Sequence, residues 1–117
     1  MQTERRVLRS EDPSRAIRIF LAKNAGSPGV RAAVVASDEG MLLGGVGDED
    51  LEVLAAVGSA ANAGHNVASP CDEHGWSTAG VFTHRLSVGE RSFVIASLGG
   101  PLESANDFDG LLHRVLA

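Results

Sequence analysis

The helix predicted over 48–63 constrains the fold more than any other part of the sequence. On a helical wheel with about 100° per residue, the polar side chains Glu52, Ser59 and Asn62 fall within about 80° of arc. The other positions are apolar or small: Leu51, Val53, Leu54, Ala55, Ala56, Val57, Gly58, Ala60, Ala61 and Ala63. A helix that covers one side of a sheet needs an apolar stripe of roughly 100°. This helix offers about twice that, so a second apolar surface must cover it.

Two surfaces could provide that cover. The simpler one is a second copy of the chain, since the small residues Ala56, Gly58 and Ala60 would permit two such helices to approach closely. A glycine inside a helix costs about 1 kcal/mol relative to alanine, so a packing reason for Gly58 is expected. The alternative is a monomer in which the long segment 64–79 folds over the helix. We favour the homodimer.

The remaining elements follow from helical spacing and from β-rich runs. In order they are a helix at 13–25, strands at 30–36 and 41–46, the helix at 48–63 with Asp48 as its cap and Gly64 as its stop, strands at 81–88 and 92–98, and a last helix that begins at Ser104. This order, α-β-β-α-β-β-α, predicts an α+β fold with an antiparallel sheet and room for one further strand. We expect one domain over 12–117, preceded by a polar, Arg-rich arm at 1–11.

Local patterns add detail to the strands and the connections between them. Ser37-Asp38-Glu39-Gly40 fits a type I turn completed by a left-handed glycine, which joins the first two strands as a hairpin. Gly44-Gly45 in the second strand marks a bulge or a close backbone approach. Neither hairpin strand alternates cleanly, which favours a sheet covered on both faces. The strand at 92–98 is apolar on both faces and is expected to be central. We predict a loop over 64–79, with a short extended piece at 66–69.

Composition and charge exclude several classes of function. The chain of 117 residues has a formal net charge of −5, which disfavours non-specific binding to phosphates, and 4% aromatic residues offer little for stacking on single-stranded nucleic acid. The single cysteine excludes an internal disulfide and fits a reducing compartment. No apolar run approaches a membrane span, and the first residues do not resemble a secretory signal. We therefore expect a cytoplasmic protein that neither binds nucleic acid nor inserts into a membrane.

The charge is unevenly distributed along the chain. Residues 1–31 contain seven Lys and Arg against three Asp and Glu, whereas residues 32–117 contain three against twelve. Such an asymmetry bears on binding, because basic and acidic surfaces attract partners of opposite charge.

Candidate chemical groups are few. His65, Cys71, His74 and His84 are zinc-ligand types, and Cys71-x-x-His74 has ligand-like spacing, so a small metal-dependent enzyme is one hypothesis. We favour the interpretation that they are polar loop residues, with Cys71 a small, partly buried apolar residue. The sequence has no G-x-S-x-G elbow. We expect no catalytic residue, no cofactor and no metal.

One stretch of the chain resembles the Roadblock/dynein light chain family of the longin-like and profilin-like fold group. It consists of the strand and turn Gly29–Gly40, the strand Met41–Val46 and the helix start Asp50-Leu51-Glu52-Val53-Leu54-Ala55-Ala56. The likeness in element order extends over about 12–116. Family members usually have three strands after the second helix, whereas this sequence shows two strands and a loop.

The resemblance implies a homodimer with one continuous sheet. In the family, the second strand pairs edge to edge with its copy, and the second helices pack antiparallel on one face of the joined sheet. The implied interface comprises Met41, Leu42, Leu43, Val53, Ala56, Val57 and Ala60.

The resemblance also implies a function. Bacterial and archaeal relatives are associated with small Ras-like GTPases and include the activator of the gliding-motility GTPase. We expect a non-enzymatic regulator or scaffold of such a GTPase, because a regulator can reposition the GTPase's own switch residues. Candidate partner-binding residues are Glu49, Glu52 and Trp76, although Trp76 could equally fold onto the core. The alternative is a structural adaptor in a larger assembly, similar to a motor light chain.

Overall fold

A four-stranded antiparallel sheet forms the centre of the molecule. The computed structural model describes residues 13–24, 29–102 and 110. The elements are α1 (Pro13–Asn24), β1 (Ala32–Ser37), β2 (Leu42–Gly47), α2 (Leu51–Asn62), α3 (Ala68–Glu73), a 3₁₀ turn (Thr78–Gly80), β3 (Val81–Val88) and β4 (Arg91–Leu98). The strand order is β2-β1-β4-β3, so β4 is central, as its two apolar faces predicted. The α+β class and the antiparallel sheet are confirmed.

Both faces of the sheet are buried at β1 and β4, as the lack of alternation in β1 predicted, whereas most of β3 is exposed. Ala33 and Val35 of β1 point to the face that α1 covers, and there they join a cluster with Ile17 and Leu21. The alternate residues of β1 point to the opposite face and pack under α2; they are Ala32, Val34 and Ala36. The sheet is therefore the middle layer of a helix–sheet–helix arrangement.

The β1–β2 hairpin has the predicted turn. The Gly40 amide donates to the Ser37 carbonyl at 2.9 Å, and Gly40 has a φ of 90°, a conformation that suits glycine. A bulge follows, because Val35 pairs with Gly44 whereas Ala36 pairs with Leu42, which leaves one extra residue in β2. The predicted bulge is therefore confirmed next to the glycine pair.

The second helix begins two residues later than predicted. Asp50, not Asp48, is its N-cap, and its carboxylate accepts a hydrogen bond from the Val53 amide at 3.2 Å. At the other end the His65 amide bonds the Ala60 carbonyl at 3.0 Å. This bond, with a left-handed residue at position 64, forms a Schellman ending and confirms the predicted stop.

The segment after α2 is more ordered than a loop. The predicted extended piece at 66–69 is wrong, because α3 begins at Ala68 after the Asn66 side chain accepts the Ala68 amide at 2.9 Å. Val67 and Cys71, four residues apart, pack in the cluster under α2. The polar composition of this segment concealed that short apolar contact. The segment thus covers part of α2, as the monomeric alternative expected.

Several predictions concern residues that the structure does not describe. The arm at 1–11 lies outside the described residues, and so does the last helix apart from the helical Gly110. Within the described residues no further strand follows α2 beyond β3 and β4. No helix in this part of the chain is long and apolar enough to cross a membrane.

Candidate protein-binding surface

An open apolar groove runs along the outer side of α2. Its volume is about 450 Å³, and four apolar helix residues line it: Val53, Ala56, Val57 and Ala60. Val67 and Pro70 of the α3 segment form its other wall. Ala56 is exposed, whereas Val53 and Ala60 are half-buried. The surplus apolar surface predicted from the helical wheel is therefore real, but α3 narrows it to this groove.

The opposite side of α2 lies close to the sheet. A Cβ atom added at Gly58 would lie 2.4 Å from the Ala96 Cβ on β4. Gly58 was predicted to let the helices of two copies approach closely, and this prediction is wrong. The close approach exists, but it joins α2 to its own sheet.

Two further positions of the wheel differ from expectation. Val57 is only 3% exposed, because the chain's own α3 segment and sheet enclose it in the cluster with Cys71 and Trp76. Ser59 is also buried, and its hydroxyl donates to the Asp38 carbonyl at 2.7 Å, so the polar arc does not point wholly to solvent. A partner that approaches the outer side of α2 would meet mainly Val53, Ala56 and Ala60, with the nearly buried Val57 at the floor of the groove.

Acidic side chains surround the start of the groove. Asp50 and Glu52 line it directly, and Glu52 is exposed and forms no ion pair with any described residue. The sequence from 32 to 84 contains eight Asp and Glu and no Lys or Arg. The groove therefore combines an apolar floor with negative charge at one end, and this combination suits a segment that is both basic and apolar.

A network behind the groove holds the proposed partner residues Glu49 and Trp76. Trp76 is 3% exposed, so the prediction of an exposed interface anchor is wrong and the folded-back alternative is correct. Its indole Nε1 donates to the Glu49 carboxylate at 3.0 Å, and the same carboxylate pairs with Arg31. The Trp76 hydrogen bond, with help from the Arg31 hydrogen bond, lowers the pKa of Glu49 below its ordinary value near 4.5.

His74 extends this network towards the groove. Its ring lies 5.0 Å from the Trp76 ring between centroids, and its Nε2 is 3.9 Å from an Asp50 carboxylate oxygen. Glu49 and Trp76 therefore join the start of α2 to the segment after α3, which is a structural role. Of the three proposed partner residues, Glu52 alone presents an uncommitted charge.

The outer edge of β2 forms a second surface. Met41 is 67% exposed just before the strand, and Leu42 and Leu43 are half-buried. The strand order places β2 at an edge of the sheet, so its outward N–H and C=O groups face no other described strand.

The candidate zinc ligands do not converge. Within the described residues, no group of three or more His, Cys, Asp or Glu side chains is placed to hold a metal ion. Cys71 is fully buried in the apolar cluster, and desolvation raises the pKa of its thiol. His74 has its Nδ1 3.1 Å from the Pro70 carbonyl oxygen, and His84 is exposed on the edge strand β3.

The wall of the groove formed by 66–70 was not predicted from the sequence. A usable signal was present, because Val67 and Cys71 have the spacing of one helical face and Asn66 is a helix-starting residue type. The segment is only six residues long as a helix, so its periodicity is too short to stand out from its polar surroundings.

Comparison with known proteins supports the fold. No protein-family model matches the sequence, and no curated protein matches it. Among solved structures, Myxococcus xanthus MglB is similar, with a TM-score of 0.52 and 13% sequence identity over 90% of this chain and 87% of MglB. An identity this low shows the fold alone. The chain therefore has a roadblock/longin-like fold.

Proposed function

We propose that this protein is a non-enzymatic homodimeric module that binds a small Ras-like GTPase and modulates its nucleotide state. The observation that carries the proposal is the roadblock/longin-like fold shared with MglB over nine tenths of the chain. The resemblance of Gly29–Ala56 to the Roadblock family adds the association with small GTPases. Within the described residues, the surfaces left open are suited to protein contacts.

The proposed dimer uses the edge of β2 and the outer side of α2. Pairing of two β2 edges would satisfy the outward backbone groups and bury Met41, which is 67% exposed. Val53, Ala56 and Ala60 would then meet the partner helix across the groove. Val57, which is 3% exposed, lines the floor of the groove beneath this contact.

The proposed GTPase contact involves the acidic start of α2. Glu52 is exposed there, and the network of Glu49, Trp76 and Arg31 holds this corner in place. A rigid acidic corner could bind and reposition a mobile switch segment of a GTPase without contributing a reacting group. In this proposal the protein provides contacts, and the chemistry stays with the GTPase.

The test is to mix the purified protein with each small GTPase encoded in the same genome and to measure binding, hydrolysis and nucleotide exchange. We expect one GTPase to form a complex with a changed rate. Glu52→Lys should weaken that complex about tenfold if the charge is at the interface. Glu90→Lys is the matched control, because Glu90 is exposed in the β3–β4 turn. If no GTPase of the set binds, the proposal is wrong, and capture of a non-GTPase scaffold would favour the adaptor function.

A further inference from the structure

The strand β3 forms the second edge of the described sheet, opposite to β2. It is eight residues long, pairs with β4 without a register shift, and contains no Gly, Pro, Asp or Glu. Four consecutive residues of this strand, 82–85, are exposed. By contrast, β2 has six residues, three glycines and a bulge. Bulges, prolines and short length protect a free edge from pairing, so β3 is the more available edge of the two.

The register with β4 determines which backbone groups of β3 are free. The Gly99 amide donates to the Gly80 carbonyl at 2.7 Å, just before the strand begins. Hydrogen-bonded positions alternate along an antiparallel pair, so Phe82, His84 and Leu86 bond β4. The residues between them turn their N–H and C=O groups away from β4, and these groups face no other strand among the described residues: Thr83, Arg85 and Ser87.

We infer that β3 accepts an extended segment of a partner protein as an added strand, and that this segment carries an acidic residue opposite Arg85. Main-chain hydrogen bonds to the outward groups give such a complex its affinity, and side chains at alternate positions give it specificity. The inference goes beyond the proposed function and is independent of it, because the proposed dimer and GTPase contacts use β2 and the outer side of α2.

Arg85 supplies the charge that selects this partner. The sequence from 32 to 102 contains two Lys or Arg residues, Arg85 and Arg91, and the Arg91 guanidinium lies 5.0 Å from the centroid of the Phe93 ring. Arg85 is exposed and donates a hydrogen bond to the Ser92 hydroxyl at 3.0 Å. Asp38 lines an open groove together with Arg85, but neither forms an ion pair within the part of the chain that the structure describes. An opposite charge on the facing residue of an added strand is favourable, whereas a like charge is not.

The other face of β3 favours an apolar neighbour. Phe82 is 36% exposed and lines an open pocket of about 190 Å³ with Ile95 of β4. A β-branched residue on this face of the added strand would cover part of the Phe82 ring. The expected segment therefore alternates β-branched and polar residues, with an acid among the polar ones.

The experiment uses the full-length chain and a capped peptide, Thr-Val-Thr-Val-Glu-Val-Thr-Val-Thr. Its sequence reads the same in both directions, so parallel and antiparallel addition place the Glu alike, and the matched peptide has Lys in its place. Amide hydrogen exchange is followed by NMR. With the Glu peptide at about ten times its dissociation constant, exchange should slow about tenfold at the amides of Thr83, Arg85 and Ser87. The amides of His84 and Leu86 already bond β4 and should change little.

Variants of β3 test the two parts of the inference. The Lys peptide should bind about fivefold more weakly than the Glu peptide, and Arg85→Glu should reverse that order. Thr83→Pro removes an outward N–H, which an edge strand tolerates, and should weaken binding about tenfold or more, whereas Thr83→Ala keeps the N–H and should bind as before. Trp76 fluorescence checks that each variant is folded. The inference is overturned if neither peptide binds, if protection appears along β2 instead of β3, or if Arg85→Glu leaves the preference unchanged.

Discussion

Replacing Gly58 by alanine tests how closely α2 packs on the sheet. The new Cβ would lie 2.4 Å from the Ala96 Cβ, whereas carbon atoms in contact prefer about 3.5–4.0 Å. β4 is hydrogen-bonded on both sides, so it cannot retreat, and α2 must move outwards by about 1 Å. Overpacking of this kind costs about 1–3 kcal/mol.

The substitution also has a favourable part, because alanine is a better helix former than glycine by about 1 kcal/mol. The expected net effect on the free energy of unfolding is a loss of up to about 2 kcal/mol. In a urea titration, this corresponds to a midpoint lower by up to about 1 M. The matched variant is Gly58→Ala with Ala96→Gly, which moves the methyl group across the contact and removes the clash.

The two substitutions should therefore be coupled. The double variant is expected to be more stable than the sum of the single effects predicts, by about 1–2 kcal/mol. If Gly58→Ala instead stabilises the chain by the helix-propensity gain alone, or if the two effects are additive, then α2 does not pack on β4 as closely as described.

Three further predictions concern the outer side of α2 and the network behind it. If α2 forms the dimer interface, Ala56→Glu should leave the chain folded and halve the mass measured by light scattering, and a folded dimer of this variant would contradict that expectation. Val57→Glu should instead unfold the chain, because Val57 is 3% exposed and the new charge would be buried. Because the pKa of Glu49 is lowered, its carboxylate stabilises the fold above its ordinary pKa near 4.5 and loses this contribution as the pH falls below that value. Trp76 fluorescence should report the loss, and Glu49→Gln should abolish this pH dependence. The thiol of Cys71 is buried and its pKa is raised, so a thiol reagent should label it only when urea unfolds the chain, and rapid labelling of the native protein would refute its placement.

Much of the fold could be predicted because local chemistry specifies it. Ile17 and Leu21 share a helical face, and both are fully buried. Gly40 has the left-handed conformation that its turn requires. The strand at 81–88 has the predicted bounds. Each of these features depends on neighbours a few residues away, so the pattern in the sequence and the contact in space coincide.

The binding surface was less predictable, because it depends on contacts between distant parts of the chain. The indole of Trp76 meets a carboxylate 27 residues earlier, and Arg31 meets the same carboxylate from 18 residues earlier. Nothing in the sequence around Trp76 distinguishes an exposed tryptophan from one held in this way. The expectation that Trp76 is exposed failed for this reason.

The excess of apolar surface on α2 follows from the order of its residues, since helical geometry places every side chain at a known angle. Where that surface is covered depends on the three-dimensional structure. The sheet takes the side with Gly58, α3 encloses Val57, and the groove at Ala56 is what remains open. A helical wheel gives directions around one axis, whereas burial depends on which distant segments approach along each direction.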